Sequence, residues 1–206
     1  MLYDYLIKNY EFGEPIFLID VRIDGISEEN IRQKFKKLTD KGLVERYENG
    51  IYYIPKKSRL KSNVGLSSEI VARYKYIERR GNILGYYAGN TLANQMGISI
   101  QVPIKEEIVS NNIAAITREI NIGNRSFIVR KSNVEINAGN YKILQLLDLL
   151  KDLELYMDNE EDAKLQLKKY VQNNEITRQE VDKYIGYFPN KIYKNIYKMR
   201  LDNVFA

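Results

Sequence analysis

Between Ile26 and Ile54 the chain reads as one amphipathic helix, a glycine and a short β-hairpin, in that order. Ser27 can cap the helix. Glu28 and Glu29 then fall in its first turn, where carboxylates suit the positive end of the dipole. Ile31, Phe35 and Leu38 recur at i, i+4 and i+7 and make one apolar stripe. Gly42 follows the last turn as a C′ residue. Two β-prone runs come next, Leu43 to Tyr47 and Ile51 to Ile54, joined by Glu48-Asn49-Gly50. Asn-Gly tolerates the positive φ that a tight turn needs. This is the order of the recognition helix and wing of a winged helix-turn-helix, a module that docks on duplex DNA.

The polar residues suit that use. At roughly 100° per residue, the helix face opposite the stripe carries Glu29, Arg32, Gln33, Lys36 and Asp40, with Lys34, Lys37 and Lys41 on its flanks. Arg, Gln and Lys are the side chains that reach guanine, adenine and phosphate. After Pro55 comes the basic stretch Lys56-Lys57-Ser58-Arg59-Leu60-Lys61. From Arg32 to Lys61 there are ten basic residues against three acidic ones, a net of +7, whereas residues 1 to 31 carry a net of −5. The whole chain is +5, so positive charge is concentrated on the helix, hairpin and linker. A localised patch of this kind is the footprint of phosphate binding. The candidate DNA contacts are Ser27, Arg32, Gln33, Lys36, Lys37, Arg46, Asn49, Lys56 and Lys57.

Composition removes several kinds of chemistry. The 206 residues contain no Cys and no His, which excludes disulfides, thiol nucleophiles, imidazole bases and the usual zinc sites. No apolar run approaches the ~20 residues of a membrane span, and the N-terminus lacks the basic region of a signal peptide. A cytoplasmic protein is expected. The 17 Tyr and absent Trp point to half-buried surfaces with polar tips.

Met1 to Tyr10 reads as a first helix, with Leu2 and Leu6 inward and Tyr3 and Ile7 as further inward candidates. Ile16 to Val21 fits a strand or a short helix, and the winged-helix order favours the helix. A second segment begins at Ser67, with helical spacing over 68 to 79 through Ile70, Tyr74 and Ile77. A short helix is expected at 91 to 96. Ile98, Ile100, Val102 and Ile104 alternate, and 113 to 122 and 127 to 131 read as strands, so a small, mostly antiparallel sheet is expected. From Asn140 the texture is helical. The leucine-dense stretch from Tyr141 to Tyr156 has more than one apolar face, and predicts a helix buried on two sides or at an interface. Shorter helices follow at 158 to 171, at 177 to 187 with Thr177 and Glu180 as a capping box, and at 190 to 200. The expected fold class is α+β: a winged helix-turn-helix at 1–61, then a second α+β domain at 67–206 with a small antiparallel sheet and a helical C-terminus.

No enzyme emerges from the motifs. There is no phosphate-binding G-x-x-x-x-G-K-[ST] loop and no G-x-G-x-x-G fingerprint, and Gly81, Gly85 and Gly89 read as turns. Ser58 and Lys61 match S-x-x-K, but in a basic linker without supporting motifs. Glu106 and Glu107 point to opposite faces of a strand. Asp158, Glu160, Glu161 and Asp162 read as a solvated helix start, since the spacing lacks the glycine and terminal Glu of a calcium loop. No metal or cofactor is expected.

Several runs together carry a family resemblance. Gly13-Glu14-Pro15-Ile16-Phe17, Ile31 through Leu38, Lys41-Gly42-Leu43-Val44-Glu45-Arg46 and Gly50-Ile51-Tyr52-Tyr53-Ile54-Pro55 resemble the winged helix of AbiEi-type antitoxins. Gly85-Tyr86-Tyr87-Ala88-Gly89, Leu92-Ala93-Asn94 and Gly97-Ile98-Ser99-Ile100-Gln101-Val102-Pro103 are similar to that family's second domain. The likeness covers about residues 1 to 135. It implies a bacterial type IV toxin–antitoxin operon, whose antitoxin represses its own operator through the N-terminal domain and counters a nucleotidyltransferase-like toxin through the C-terminal one. The chain lacks the Gly-Ser and paired-Asp motif of such toxins, so it would be the antitoxin. Arg32, Gln33, Lys36, Arg46 and Asn49 carry over as DNA contacts. Two other readings stay open: a stand-alone regulator whose second domain binds a ligand or dimerises, and an RNA-binding protein. The latter would use Tyr184, Tyr187, Tyr193 and Tyr197 interleaved with Lys183, Lys191, Lys194 and Lys198.

Overall fold

A computed structural model describes residues 1–56 and 65–205. The fold class is α+β, and the chain divides into two compact units, Met1–Tyr74 and Lys75–Ala206.

Unit 1 begins with α1 (Leu2–Asn9), then β1 (Ile16–Phe17), a 3₁₀ turn (Leu18–Asp20), α2 (Glu28–Asp40), β2 (Glu45–Glu48) and β3 (Ile51–Tyr53). The three strands form an antiparallel sheet in the order β1-β3-β2. Leu2 and Leu6 of α1, Ile31 and Phe35 of α2, and Ile16, Val21, Val44 and Ile54 close the core. Tyr3 is half-buried, whereas Ile7 is 46% exposed and does not face inward. Of the short helix expected at 16 to 21, only the 3₁₀ turn at Leu18–Asp20 forms. Ile16 and Phe17 are extended and pair with Tyr52 and Ile51, and the Leu18 N–H donates to the Gly50 carbonyl at 2.8 Å. The hairpin offers these residues partners that a helix would otherwise supply.

Both ends of α2 follow from local chemistry. The Ser27 hydroxyl accepts from the Asn30 N–H at 3.3 Å. At the other end the Leu43 N–H reaches the Leu38 carbonyl at 3.0 Å and the Gly42 N–H reaches Thr39 at 2.9 Å, with Gly42 at φ +67°. That pair of bonds is a Schellman motif, and the left-handed residue it requires is the glycine. In the hairpin the register shifts between Arg46 and Glu48, and Gly50 alone of the Asn49-Gly50 pair has positive φ. The turn is therefore closed with a bulge at Tyr47 rather than with two left-handed residues.

Helix α3 (Ser68–Tyr76) carries the junction between the units. Ser68 lies in unit 1, its hydroxyl 3.1 Å from that of Tyr47. The buried residues of α3 are Val71, Ala72 and Tyr76; Ile70, expected inside, is 41% exposed.

In unit 2 a small hairpin, β4 (Glu78–Arg79) and β5 (Asn82–Ile83), precedes β6 (Gly85–Tyr87), α4 (Gly89–Gln95), β7 (Glu106–Ser110), β8 (Thr117–Ile122) and β9 (Arg125–Lys131). The last four strands form one sheet in the order β6-β7-β9-β8. It is mostly antiparallel, as expected, with β7 and β9 as its parallel pair. The alternation through Ile100, Val102 and Ile104 does not make a strand. These side chains are 80–99% exposed, Pro103 has no N–H to give, and the Ile100 N–H is taken by Asp158 at 2.6 Å.

The C-terminal helices are α5 (Tyr141–Lys151), α6 (Leu153–Tyr156), α7 (Glu160–Asn173), α8 (Arg178–Tyr184) and α9 (Lys191–Lys198). The stretch read as one helix from Tyr141 to Tyr156 breaks at Asp152. Residues 143 to 150 are all buried, so α5 is enclosed on every side, among α4, α7, α8 and α9. Thr177 and Glu180 do form a capping box, and Asn159 caps α7 with Glu160, Glu161 and Asp162 in its first turn. No helix among the described residues is long and apolar enough to cross a membrane.

Candidate nucleic-acid interface

Burial of Ile31 and Phe35 decides which way α2 faces. Arg32, Gln33, Lys36 and Lys37 are all exposed. At roughly 100° per residue, Gln33 and Lys37 lie opposite Phe35, with Arg32 and Lys36 along one flank. None of these four side chains has a partner among the described residues. Glu29 and Asp40 share the outward face and interrupt its positive charge. Lys34 is half-buried on the other side.

An aromatic contact joins the hairpin to this helix. The Tyr52 ring packs on Phe35 with centroids 4.6 Å apart and planes at 37°. On the neighbouring residue, the Tyr53 hydroxyl donates to the Glu45 carboxylate across the β2–β3 pair. Burial, with the Glu45 charge, pushes the Tyr53 phenol up to about 12, so it stays protonated and keeps donating. Neither tyrosine was among the sequence candidates. The signal was the Ile51-Tyr52-Tyr53-Ile54 alternation, which sends consecutive tyrosines to opposite faces of the strand.

The structure brings Arg46 and Asn49 together. The Arg46 Nη2 donates to Asn49 Oδ1 at 2.9 Å and its Nε to the Glu48 carbonyl at 3.3 Å, which holds an exposed guanidinium over the turn. A guanidinium has five N–H donors, so others remain for a phosphate. Ser27 is exposed at the start of α2, and its hydroxyl can donate while it accepts from Asn30. Lys56 is exposed, with its methylene stem along Gly13. Lys57 and the Ser58–Lys61 pair lie outside the described residues. From 32 to 56 the described chain holds seven basic and three acidic residues.

Helix α9 makes the opposite arrangement. Ile192, Asn195 and Ile196 are buried, and its three lysines are ion-paired: Lys191 with Asp152 at 2.6 Å, Lys194 with Glu154 at 3.1 Å and Lys198 with Glu160 at 3.2 Å. Tyr193 and Tyr197 are exposed, but the cations beside them are engaged with the helices underneath. On α2, by contrast, Arg32, Lys36 and Lys37 have no ion-pair partner among the described residues.

A family model matches residues 4–179, which takes in both units. The chain belongs to DUF6088, a family of unknown function. The DUF6088 match includes α2, the hairpin, the sheet of unit 2 and α5, and it ends at the start of α8, ahead of α9. No curated protein matches the sequence.

Proposed function

We propose that this chain binds duplex operator DNA through unit 1, read as a winged helix-turn-helix, and acts as the antitoxin and autorepressor of a type IV toxin–antitoxin operon in the bacterial cytoplasm. The observation that carries the DNA reading is the unpartnered set Arg32, Gln33, Lys36 and Lys37 on a helix whose position is fixed by the hairpin. An exposed helix bearing these side chains suits the major groove, where Arg reads guanine and Gln reads adenine. Arg46 and Asn49 at the hairpin turn, with Ser27 and Lys56, then meet the phosphates that flank the groove. No step in this function calls for catalysis or a cofactor.

The antitoxin half rests on the family resemblance carried by Gly85 to Gly89 and Gly97 to Pro103. Unit 2 would counter a nucleotidyltransferase-like toxin. The paired lysines of α9 favour duplex DNA over single-stranded RNA as the nucleic acid, because their charge is already spent within the protein.

The test uses the full chain and the DNA upstream of its own gene. With four to six phosphates engaged, log K should fall against log salt with a slope of about −4 to −5. Arg32→Ala with Gln33→Ala should lose operator preference by about 1–3 kcal/mol per base contact, while Lys56→Ala with Lys57→Ala should weaken all sequences alike. A flat salt response would refute the DNA reading, and equal effects of the two pairs would show that the helix does not read bases. Growth rescue by the full chain on co-expression with the product of an adjacent toxin-like gene tests the antitoxin reading, and absence of rescue refutes it.

A further inference from the structure

In unit 2 a cavity of about 300 Å³ opens at the carboxyl ends of the parallel strands β7 and β9. One wall is Val109, Arg130 and Lys131 from those strands; the other is Asp148, Lys151 and Asp152 at the end of α5. Tyr187 and Phe188 close a third side just before α9. In open sheets the carboxyl ends of parallel strands are where ligands settle.

The wall is built around a buried charge. Asp148 is 4% exposed and sits within the apolar run of α5. A carboxylate there requires partners. It has two cations: Arg130, through Nη2 at 2.9 Å and Nη1 at 3.4 Å, and Lys151 through Nζ at 2.6 Å. Glu107 stands 4.0 Å from the Arg130 Nε. Burial works against the guanidinium charge, but Asp148 and Glu107 outweigh it and raise the Arg130 pKa, so this cation is permanent. Lys191 spends its charge on Asp152 at 2.6 Å. Lys131 is exposed and has no side-chain partner among the described residues. Four cations and two carboxylates thus line the cavity, a net of +2.

Stability alone does not explain this cluster, since a buried ion pair is often no better than apolar packing of the same shape. What the cluster does provide is a guanidinium and an ammonium that share the single charge of Asp148, so that part of their charge is left at the cavity mouth. Arg130 uses two nitrogens on Asp148 and keeps further N–H donors. Tyr86 adds a phenol to the lining, and burial, with Asp148 nearby, pushes its pKa upward and keeps it a donor. Tyr187, 56% exposed, presents a ring beside these cations. Donors and positive charge against an aromatic wall suit a phosphate attached to a planar ring. About 300 Å³ is at the small end of ligand pockets, which limits the occupant to one such unit.

We infer that this cavity binds a nucleoside monophosphate, its phosphate on Arg130, Lys131 and Lys151 and its base against Tyr187. This does not depend on the DNA reading of unit 1. Calorimetric titration of the full-length protein with AMP, GMP, CMP and UMP, and separately with inorganic phosphate and adenosine, tests it. At least one nucleotide should bind, more tightly than either phosphate or adenosine. Lys131→Ala should weaken it about tenfold. Tyr187→Ala should weaken it by about tenfold and leave phosphate binding unchanged. Both side chains are exposed, so both variants should fold, and Lys8→Ala in unit 1 serves as the control. No binding of any of the four at millimolar concentration would overturn the inference. So would nucleotide binding that both variants leave intact, or phosphate binding as tight as that of every nucleotide. Operator binding measured on the same preparations separates the two ideas, since its loss would bear on unit 1 alone.

Discussion

A methyl group at Gly85 probes the closest backbone approach in unit 2. A Cβ there would lie 2.3 Å from the Tyr76 carbonyl oxygen, 2.3 Å from that of Val109 and 3.1 Å from the Ser110 Cα. Carbon and carbonyl oxygen ordinarily stay about 3.3–3.6 Å apart, so β6 would have to retreat by about 1 Å from both. Neither side can yield easily. The Tyr76 carbonyl accepts from the buried Ser110 hydroxyl at 2.6 Å, and the Leu84 carbonyl accepts from the Asn111 N–H at 2.8 Å. A retreat loosens the Gly85–Ser110 and Tyr86–Val109 pairing. Overpacking costs about 1–3 kcal/mol and each lost hydrogen bond about 1 kcal/mol, so Gly85→Ala should cost about 3–5 kcal/mol. That is a large part of the ~5–15 kcal/mol that holds a domain together. Urea unfolding followed by circular dichroism measures it as a fall in midpoint at constant slope. Gly186→Ala is the matched control, because a Cβ at Gly186 meets nothing within 4 Å. A loss under about 1 kcal/mol at Gly85, or the same loss at both glycines, refutes the argument from close approach.

Three further outcomes follow from the structure. Ser27→Ala should remove the cap of α2 and cost about 1 kcal/mol, while Ser27→Gly should cost only a few tenths; equal losses would mean that the hydroxyl is not the cap. Leu147→Ala, at a fully buried position of α5, should cost about 2–5 kcal/mol in urea unfolding, and a smaller loss would place α5 outside the core. Tyr53 is raised to about 12 in the fold against about 10 in a free chain, so the fold favours its protonated form. Its contribution is therefore complete below pH 10 and is lost as the pH climbs from 10 to 12; Tyr53→Phe should flatten that part of the stability curve, and an unchanged slope would contradict the pairing with Glu45.

Where hydrophobic spacing coincided with a stop or start signal, the sequence was legible. Ser27, the Ile31–Phe35 stripe and Gly42 marked α2 to the residue, because capping, periodicity and the left-handed C′ position are local requirements. Thr177 and Glu180 marked α8 for the same reason. Misreadings arose where a partner far along the chain decided the conformation. Ile16 and Phe17 became a strand because β3 lay beside them. Ile100, Val102 and Ile104 alternate like a strand yet pair with nothing, because the Ile100 N–H goes to Asp158, 58 residues away. Ile70 and Ile7 lie outside although their spacing was inward, since a stripe shows that a face is apolar and not what covers it.

The candidate site divides along the same line. The residue types on α2 and the hairpin, and the concentration of charge over 32 to 61, are properties of the sequence alone. That Arg46 is clasped by Asn49, that Tyr52 stacks on Phe35, and that the lysines of α9 are spent on Asp152, Glu154 and Glu160 are not. The buried pair of Arg130 and Asp148 shows the difference most clearly. In sequence, Asp148 is a lone charge inside an apolar run and Arg130 the first of two cations at the end of another, 18 positions apart. Only the packing of α5 against the sheet makes them partners, because a charge removed from water must find its opposite within hydrogen-bonding reach, and it is tertiary structure that sets that distance.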